Sequence, residues 1–200
     1  MDKHIVIIAE LRGNQVNPVT YELLALAEKI RRTHTLPVKM ILLGADVEMP
    51  AREIADASGE AVLAIENGHL KTYNGELTKD LLYDILSALY PVFILAAQTT
   101  RGLDFGPGLA VRLEAACITG VNALVDKGEG LCFSRAAYHG KIVTHVLSAT
   151  ETTLLLVQPG AFKAVEKEAK ASGPVEIKTS DAEPKRIRSL GISATRSEDA

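Results

Sequence analysis

The chain up to Ala116 alternates short apolar runs with longer amphipathic stretches. The apolar runs have the composition of strands buried on both faces, and each amphipathic stretch carries one apolar stripe at helical spacing. This alternation predicts a doubly wound, mostly parallel sheet of the Rossmann-like kind, covered by helices on both faces and hence three-layered. The predicted strands are residues 4–9, 38–43, 61–65 and 92–97; the predicted helices begin at Asn17-Pro18, at residue 50, at Thr78 and at Leu103.

After Ala116 the pattern changes to apolar runs without intervening helices, at residues 117–125, 131–136, 142–147 and 153–157. Glycine-containing turns at 128–130 and 139–140 suit hairpins, so these runs predict an antiparallel strand extension of the sheet. A charged helix is expected over 162–171, and two weak strands are expected near Val175 and Ile187. We therefore expect a single domain over residues 1–192 and a polar tail or linker over 193–200.

A candidate ligand crevice follows from the topology of such a sheet. If the first strand is central and the fourth lies beside it, the loops after these two strands flank the place where the strand order reverses. Glu10, Thr99 and Thr100 would then be neighbours, and Gly102 would free the turn into the next helix. The same small polar residues also suit an ordinary turn and helix cap, and both interpretations stay open.

The composition argues against several classes of function. A formal net charge of −3 gives no electrostatic case for binding nucleic acid or an anionic membrane, and aromatic residues at 4% leave few stacking platforms for bases. The cysteines, Cys117 and Cys132, have no CxxC spacing and no nearby histidine, so we expect no metal site in a reduced, cytoplasmic setting. No apolar run reaches the roughly 18 residues of a membrane span, and the N-terminus starts directly as a strand without a signal peptide.

The motifs that mark common catalytic or phosphate-binding loops do not occur in the sequence. GxGxxG after the first strand, GxxxxGK[ST] and GxSxG are all missing, so we expect no catalytic residue. Glu10 could act as a base, but it more simply caps a loop. Arg135, inside an apolar strand, could contact a partner or extend its charge from an edge strand.

Several segments, taken together and in order, follow the pattern of a known family. IVIIAELRGNQVNPVTYELLALAEKI contains an opening strand, an Ala-Glu pair and a first helix, and GLDFGPGLAVRLEA contains Gly, an acidic residue and Pro before Leu-Ala and Arg-Leu. Arg135, Tyr138 and Gly140 match an Arg-Pro-x-Tyr-x-Gly segment, and LLLVQPGAF matches Thr-Val-Arg-Pro-Gly-x-Phe. Over about residues 5–162 the chain resembles the N-terminal domain of the electron transfer flavoprotein alpha subunit.

The resemblance implies an α/β domain of the adenine-nucleotide alpha-hydrolase type, in agreement with the alternation. It implies a beta subunit of the same fold as partner and FAD as cofactor, in an electron carrier that links acyl-CoA and related dehydrogenases of fatty acid beta-oxidation to a membrane quinone oxidoreductase. That family works in the cytoplasm or the mitochondrial matrix. Its FAD lies mainly in a second domain, expected to begin where this sequence ends, and no FAD residue is carried over. The sequence departs from the family at Gly108 and Gln158, where Arg is usual, and at Ala136, where Pro is usual.

The apolar hairpin at 131–147 is the expected docking surface, with Phe133, Arg135 and Tyr138 at the interface. A homologous beta subunit or a second copy of the chain would cover it. The other placement of Phe133 is inside the core of the domain itself. A rival hypothesis for the whole chain is a stand-alone AMP- or ATP-binding module, with the nucleotide in the crevice.

Overall fold

The computed structural model describes residues 3–126, 130–164 and 171–190 of the 200-residue chain. The predicted turn at 128–130, the helix at 162–171 and the tail at 193–200 lie wholly or largely outside these residues. The helices are α1 (Val19–Arg31), α2 (Glu48–Ser58), α3 (Gly75–Leu89) and α4 (Thr100–Arg112), with a 3-10 turn at Gly68–Lys71. The strands are β1 (Ile5–Ala9), β2 (Leu11–Arg12), β3 (Gln15–Val16), β4 (Val38–Gly44), β5 (Ala61–Glu66), β6 (Phe93–Ala97), β7 (Ala116–Asp126), β8 (Leu131–Ala137), β9 (Ile142–Val146), β10 (Thr153–Val157) and β11 (Val175–Thr179).

Nine of the described strands form one sheet, in the order β11-β5-β4-β1-β6-β10-β7-β8-β9. Neighbours from β11 to β7 in that order pair in parallel, whereas β8 pairs antiparallel with β7 and with β9. The other two, β2 and β3, form a small antiparallel hairpin directly after β1. The predicted doubly wound parallel sheet is confirmed, and its first four predicted strands agree with the structure to within one residue at each end.

Two strand predictions near the C-terminus are wrong. Residues 153–157 are not part of the antiparallel extension but form β10, which lies between β6 and β7 and pairs in parallel with both. All five residues of β10 are buried, as is typical of an internal parallel strand. Of the two weak strands, the one at Val175 is β11, while no strand is found near Ile187 in the described residues.

Alternate residues of the central strand β1 contribute to two separate helical layers. Ile5 and Ile7 pack in a cluster with side chains of α1 and α2, while Val6 and Ile8 pack with side chains of α3 and α4. Since successive residues of a strand point to opposite faces, one fully buried strand supplies both layers of the core. The three-layer arrangement predicted from the alternation is confirmed.

Three helices begin earlier than predicted. α2, expected from residue 50, begins at Glu48, and α3 and α4 each begin three residues early. α3 begins at Gly75 with Asn74 as its N-cap, and not at Thr78. α4 begins at Thr100 with Thr99 as its N-cap, and not at Leu103. The apolar stripe marks the turns that pack on the sheet, whereas the capping turn is specified by one polar side chain, so periodicity alone places the start too late.

Phe133 on β8 lies inside the core of the domain. Its side chain is 1% exposed, and its ring packs edge to face against Phe93 with the ring centroids 5.8 Å apart. Of the two placements that the sequence left open, the structure therefore has the internal one. Phe133 is not available to a partner, because the strand alternation turns it towards the layer of α1 and not towards solvent.

We expect Phe133→Ala to lower the free energy of unfolding by about 3–5 kcal/mol, since it removes a buried aromatic ring and leaves a cavity. Tyr138→Ala is the matched control, because Tyr138 directly follows the last residue of β8, lies in the hairpin turn and is 74% exposed. Urea titration should find the control within about 0.5 kcal/mol of the wild type. A Phe133 variant as stable as the control would contradict the internal placement.

Candidate functional site

A cavity of about 220 Å³ opens at the carboxyl edge of the sheet, where β1, β4 and β6 end. This is the crevice that the topology predicted, since β1 lies between β4 and β6. Much of its apolar lining comes from the ends of these three strands and from α4, through Ile8, Ala9, Leu43, Ala96, Ala97 and Phe105. The cavity therefore has an apolar floor built from the core of the sheet.

Glu10 and Thr99, which the topology predicted to be neighbours, are in contact. Glu10 lines the cavity, whereas Thr99, Thr100 and Gly102 are not among its lining residues. The Thr99 hydroxyl donates to Glu10 Oε2 at 2.6 Å, and its oxygen accepts from the backbone N–H of Gly102 at 3.2 Å. The other carboxylate oxygen of Glu10 accepts from the side-chain amide of Asn17 at 2.9 Å. One carboxylate thus joins the loop before α1 to the N-cap of α4.

The position of Glu10 bears on what the crevice can bind. The start of a helix carries partial positive charge and free N–H groups, which makes it a natural place for an anion. Here the chain's own carboxylate lies beside the N-cap of α4. A phosphate at that position would have to displace Glu10 or tolerate its negative charge.

Gly102 is required by the packing of α4 on the sheet, without any ligand. A Cβ atom at this position would lie 1.9 Å from the carbonyl oxygen of Ala97, at the end of β6. A Gly102→Val change would therefore disturb the fold and cannot serve as a clean test of ligand binding. Thr100, the remaining candidate, begins α4 with an exposed side chain.

Arg101 closes one side of the cavity, and the sequence interpretation did not single it out. Its guanidinium donates to the carbonyl of Leu11 at 2.7 Å and lies 5.4 Å from the ring centroid of Tyr73. The Tyr73 hydroxyl donates to Asp104 Oδ2 at 2.7 Å. Burial, followed by this contact with the Asp104 carboxylate, raises the pKa of Tyr73, so the phenol stays protonated. The sequence pattern indicates the neighbours of Arg101 as crevice residues, but it does not indicate that Arg101 contacts Tyr73.

Residues 180–187 follow β11 and are here called the C-terminal strap. Side chains of the loop between β5 and α3 bind this strap. The side-chain amide of Asn67 donates to the carbonyls of Ser180 and Ala182, both at 2.9 Å, and that of Asn74 donates to the carbonyl of Ile187 at 2.9 Å. Asn67 and Asn74 are 1% and 4% exposed. The strap is therefore fixed to the domain by buried amide groups and not by surface contacts alone.

Glu76 in the first turn of α3 completes this attachment. Its Oε2 accepts from the backbone N–H groups of Arg186 and Ile187 at 2.8 and 3.0 Å, and its Oε1 accepts from the Arg186 guanidinium at 2.9 Å. The backbone N–H and guanidinium of Arg186 lower the pKa of Glu76 to about 2. The carboxylate is thus charged at neutral pH, and three donors from the strap converge on it.

Glu76→Gln should destabilise the domain in a pH-dependent way. Because the folded pKa lies below the ordinary value of 4.5, the contribution of the carboxylate is complete above that value and is lost as the pH falls towards 2. The difference in Tm between wild type and variant should therefore be largest near neutral pH and shrink on acidification. Thermal melts of both proteins and of Glu151→Gln, an exposed control, test this; a difference that stays constant with pH would contradict it.

The other predicted interface residues lie near the free edge of the sheet. Arg135 is half-buried on β8, and Tyr138 is 74% exposed in the turn between β8 and β9, with a backbone φ of 51°. The His145 Nδ1 and the Ser134 hydroxyl are 2.7 Å apart across the same hairpin. Arg135 and Tyr138 can be reached by another protein, whereas Phe133 cannot.

The described residues contain no cluster of His, Cys, Asp or Glu side chains that could hold a metal ion. Both cysteines are free thiols; Cys132 is buried and Cys117 is exposed. Within the same described ranges, none of the helices has the length and apolar character needed to cross a membrane.

The sequence matches the family model described as the electron transfer flavoprotein domain over residues 5–183. It is 27% identical over 176 residues to the electron transfer flavoprotein subunit alpha of Bacillus subtilis (strain 168), covering 88% of this chain and 54% of that protein. It is 30% identical over 155 residues to the protein of the same name from Syntrophomonas wolfei, covering 77% of this chain and 47% of that protein. The corresponding protein of Megasphaera elsdenii is 27% identical over 176 residues, with coverages of 86% and 52%. The chain thus spans about half the length of these curated relatives.

Proposed function

Because this chain belongs to the electron transfer flavoprotein domain family, we propose that it is an alpha-subunit-like domain that acts as the scaffold of a heterodimeric flavoprotein. The family supports a role in electron transfer and association with a flavin. In this proposal a homologous beta subunit docks on the domain, and FAD is held outside it. The complex carries electrons from dehydrogenases of the acyl-CoA type towards the respiratory chain. The family match over residues 5–183 is the observation that carries the proposal.

The chemistry of the crevice supports a scaffold in preference to a flavin-binding domain. FAD carries a pyrophosphate, which needs several N–H donors or cations in one place. At the start of α4 the Thr99 hydroxyl and the Gly102 N–H are already used, and the Glu10 carboxylate adds a negative charge. The Arg101 guanidinium is likewise engaged with the Leu11 carbonyl. These contacts favour a flavin site elsewhere in the complex.

The free edge of the sheet at β9 supports a protein partner. In the described residues β9 pairs on one side only, with β8. Ile142 and Val143 are 50% and 56% exposed, and Leu147, just after the strand, is 50% exposed. An apolar edge strand of this kind offers both unpaired backbone groups and apolar area to another chain. We propose that the beta subunit covers this edge, with Arg135 and Tyr138 at its margin.

We expect the 200-residue chain to purify colourless on its own and to bind a homologous beta subunit. Val143→Asp should weaken that association at least about tenfold, because it places a charge in the apolar part of the interface. Val111→Asp is the matched control: Val111 lies on α4, is 78% exposed and is remote from β9. Sedimentation and the flavin absorbance spectrum give the two readouts.

Three results would contradict the proposal in different ways. A stoichiometric yellow chromophore on the chain alone would show that the flavin site lies within it. Equal weakening by both valine variants, or by neither, would show that β9 is not the docking edge. Self-association that only Val143→Asp disrupts would replace the beta subunit by a second copy of the chain.

The rival function, an AMP- or ATP-binding module, has the cavity in its favour and the position of Glu10 against it. A nucleotide could place its base on the apolar floor. Its phosphates would then approach the carboxylate that already occupies the start of α4. The structure thus favours the scaffold over the nucleotide module.

We expect neither AMP nor ATP to bind better than about millimolar, which corresponds to a binding free energy of about −4 kcal/mol. Glu10→Gln should improve the affinity of AMP if the carboxylate is the obstacle, since the amide keeps the size of the side chain and removes its charge. Isothermal titration measures both. Micromolar binding of AMP to the wild-type chain would favour the nucleotide module instead.

A further inference from the structure

The β8–β9 hairpin, residues 131–147, differs in charge from the rest of the chain. Although the whole chain has a formal net charge of −3, this hairpin contains no Asp or Glu. Its basic side chains are Arg135, His139, Lys141 and His145. Arg135 and Lys141 flank the edge strand β9, which itself has no Lys or Arg. The acidic balance of the chain is therefore reversed around the apolar edge.

Arg135 on β8 has no acceptor for its charged group. Its register partners are Val121 on β7 and Thr144 on β9, and its side chain is half-buried. Within the described residues its guanidinium makes no ion pair and no hydrogen bond. Ile142, 50% exposed, lies on the same face of the hairpin as Thr144. A carboxylate approaching this face could accept two N–H groups of the guanidinium beside an apolar side chain, which excludes water and strengthens the attraction.

The turn of the hairpin keeps two side chains in a backbone conformation that glycine adopts more easily. Tyr138 and His139 have φ values of 51° and 56°, and the N–H of Gly140 donates to the carbonyl of Ala137 at 3.1 Å. Turns of this kind usually have Asn-Gly at the two central positions, because other residues are strained there. Both side chains are exposed, so packing within the domain does not require them. An exposed aromatic ring and imidazole at strained positions suit contact with another molecule.

The charges distinguish between the two occupants considered for the β9 edge. Isologous pairing of β9 with a second copy would bring two basic hairpins together, with no carboxylate on either to offset them. A partner that carries Asp or Glu side chains would instead neutralise Arg135 and Lys141. Polyanions are disfavoured as occupants, because the chain as a whole is negative.

We propose that the protein that docks on the β8–β9 hairpin presents an acidic surface, with one carboxylate paired to the Arg135 guanidinium and further carboxylates beside His139 and Lys141. This inference rests on the proposed function and adds to it the chemistry of the partner and the residues that recognise it. Apolar contact at Ile142 and Val143 supplies the area of the interface, and the basic side chains select the partner.

Binding of the whole chain to a homologous beta subunit, followed by sedimentation, tests the proposal. Arg135→Gln should weaken association about tenfold, because it removes a partly buried charged partner. Arg12→Gln is the matched control, since it removes one positive charge at an exposed position on β2, outside the nine-stranded sheet, and should leave the affinity unchanged. Raising the salt concentration from about 0.05 M to about 0.3 M should weaken wild-type binding, and the dependence should be smaller for Arg135→Gln.

The sign of a charge placed in the apolar part of the hairpin gives an independent readout. Val143→Lys and Val143→Asp both put a charge in place of the same half-exposed side chain. An acidic partner should tolerate the lysine about tenfold better than the aspartate. In the wild-type complex, carbodiimide coupling should join the Lys141 amine to an Asp or Glu of the beta subunit.

The turn should show opposite effects on stability and on binding. Tyr138→Asn combined with His139→Gly should raise the Tm by about 2–4 °C, because it relieves the left-handed strain, and should weaken association at least about fivefold. A higher Tm with unchanged association would refute the placement of carboxylates beside the turn.

The results separate this inference from the docking on which it rests. If Val143→Asp weakens association but Arg135→Gln and salt do not, docking at β9 stands and the acidic partner is refuted. If no hairpin variant changes association, the docking site itself is wrong and this inference fails with it. A dimer of the chain alone that Val143→Asp disrupts would overturn it in favour of a second copy. Binding of the chain alone to vesicles containing phosphatidylserine, lost in Arg135→Gln, would overturn it in favour of a membrane surface.

Discussion

The carboxylate of Glu10 connects the end of the central strand to the starts of two helices. It accepts from Asn17 in the loop before α1 and from Thr99, the N-cap of α4. Both helix starts carry partial positive charge, so a single negative charge between them stabilises the two together. Because β1 lies between β4 and β6, this contact occurs where the strand order reverses. The path of both loops and the charge at the inner end of the cavity depend on it.

The loop between β5 and α3 is the second element on which several others rely. Asn67 and Asn74 each use both ends of the side-chain amide: the oxygen caps a helical turn, and the nitrogen donates to the C-terminal strap. The cavity side of the same loop contributes Lys71 and Tyr73. The strap and the cavity therefore share one wall, and a displacement of the strap would move groups that line the cavity.

The sequence predicts those parts of the structure that depend on local pattern. The buried runs predict the first four strands, and the adjacency of the first and fourth strands predicts that Glu10 lies beside Thr99, as the structure has it. The pattern could not assign residues 153–157 to the parallel part of the sheet, since a fully buried run looks the same beside any neighbour.

Side-chain placement was predictable only where topology determines it. Alternation along β8 shows which residues share a face with Phe133, but not whether that face meets α1 or a partner. The contact of Arg101 with Tyr73 depends on the path of an irregular loop, which the strap and the buried Asn67 and Asn74 hold in place.

The two edge strands of the sheet differ in the side chains that they expose. At one end β11 carries Glu176 and Lys178, paired at 3.0 Å on its exposed side, and charges on an edge strand discourage pairing with another chain. At the other end β9 presents exposed Ile142 and Val143. The edge that lacks charge is the one on which a partner strand can be added without desolvating an ion pair, so recognition of another subunit is favoured at β9.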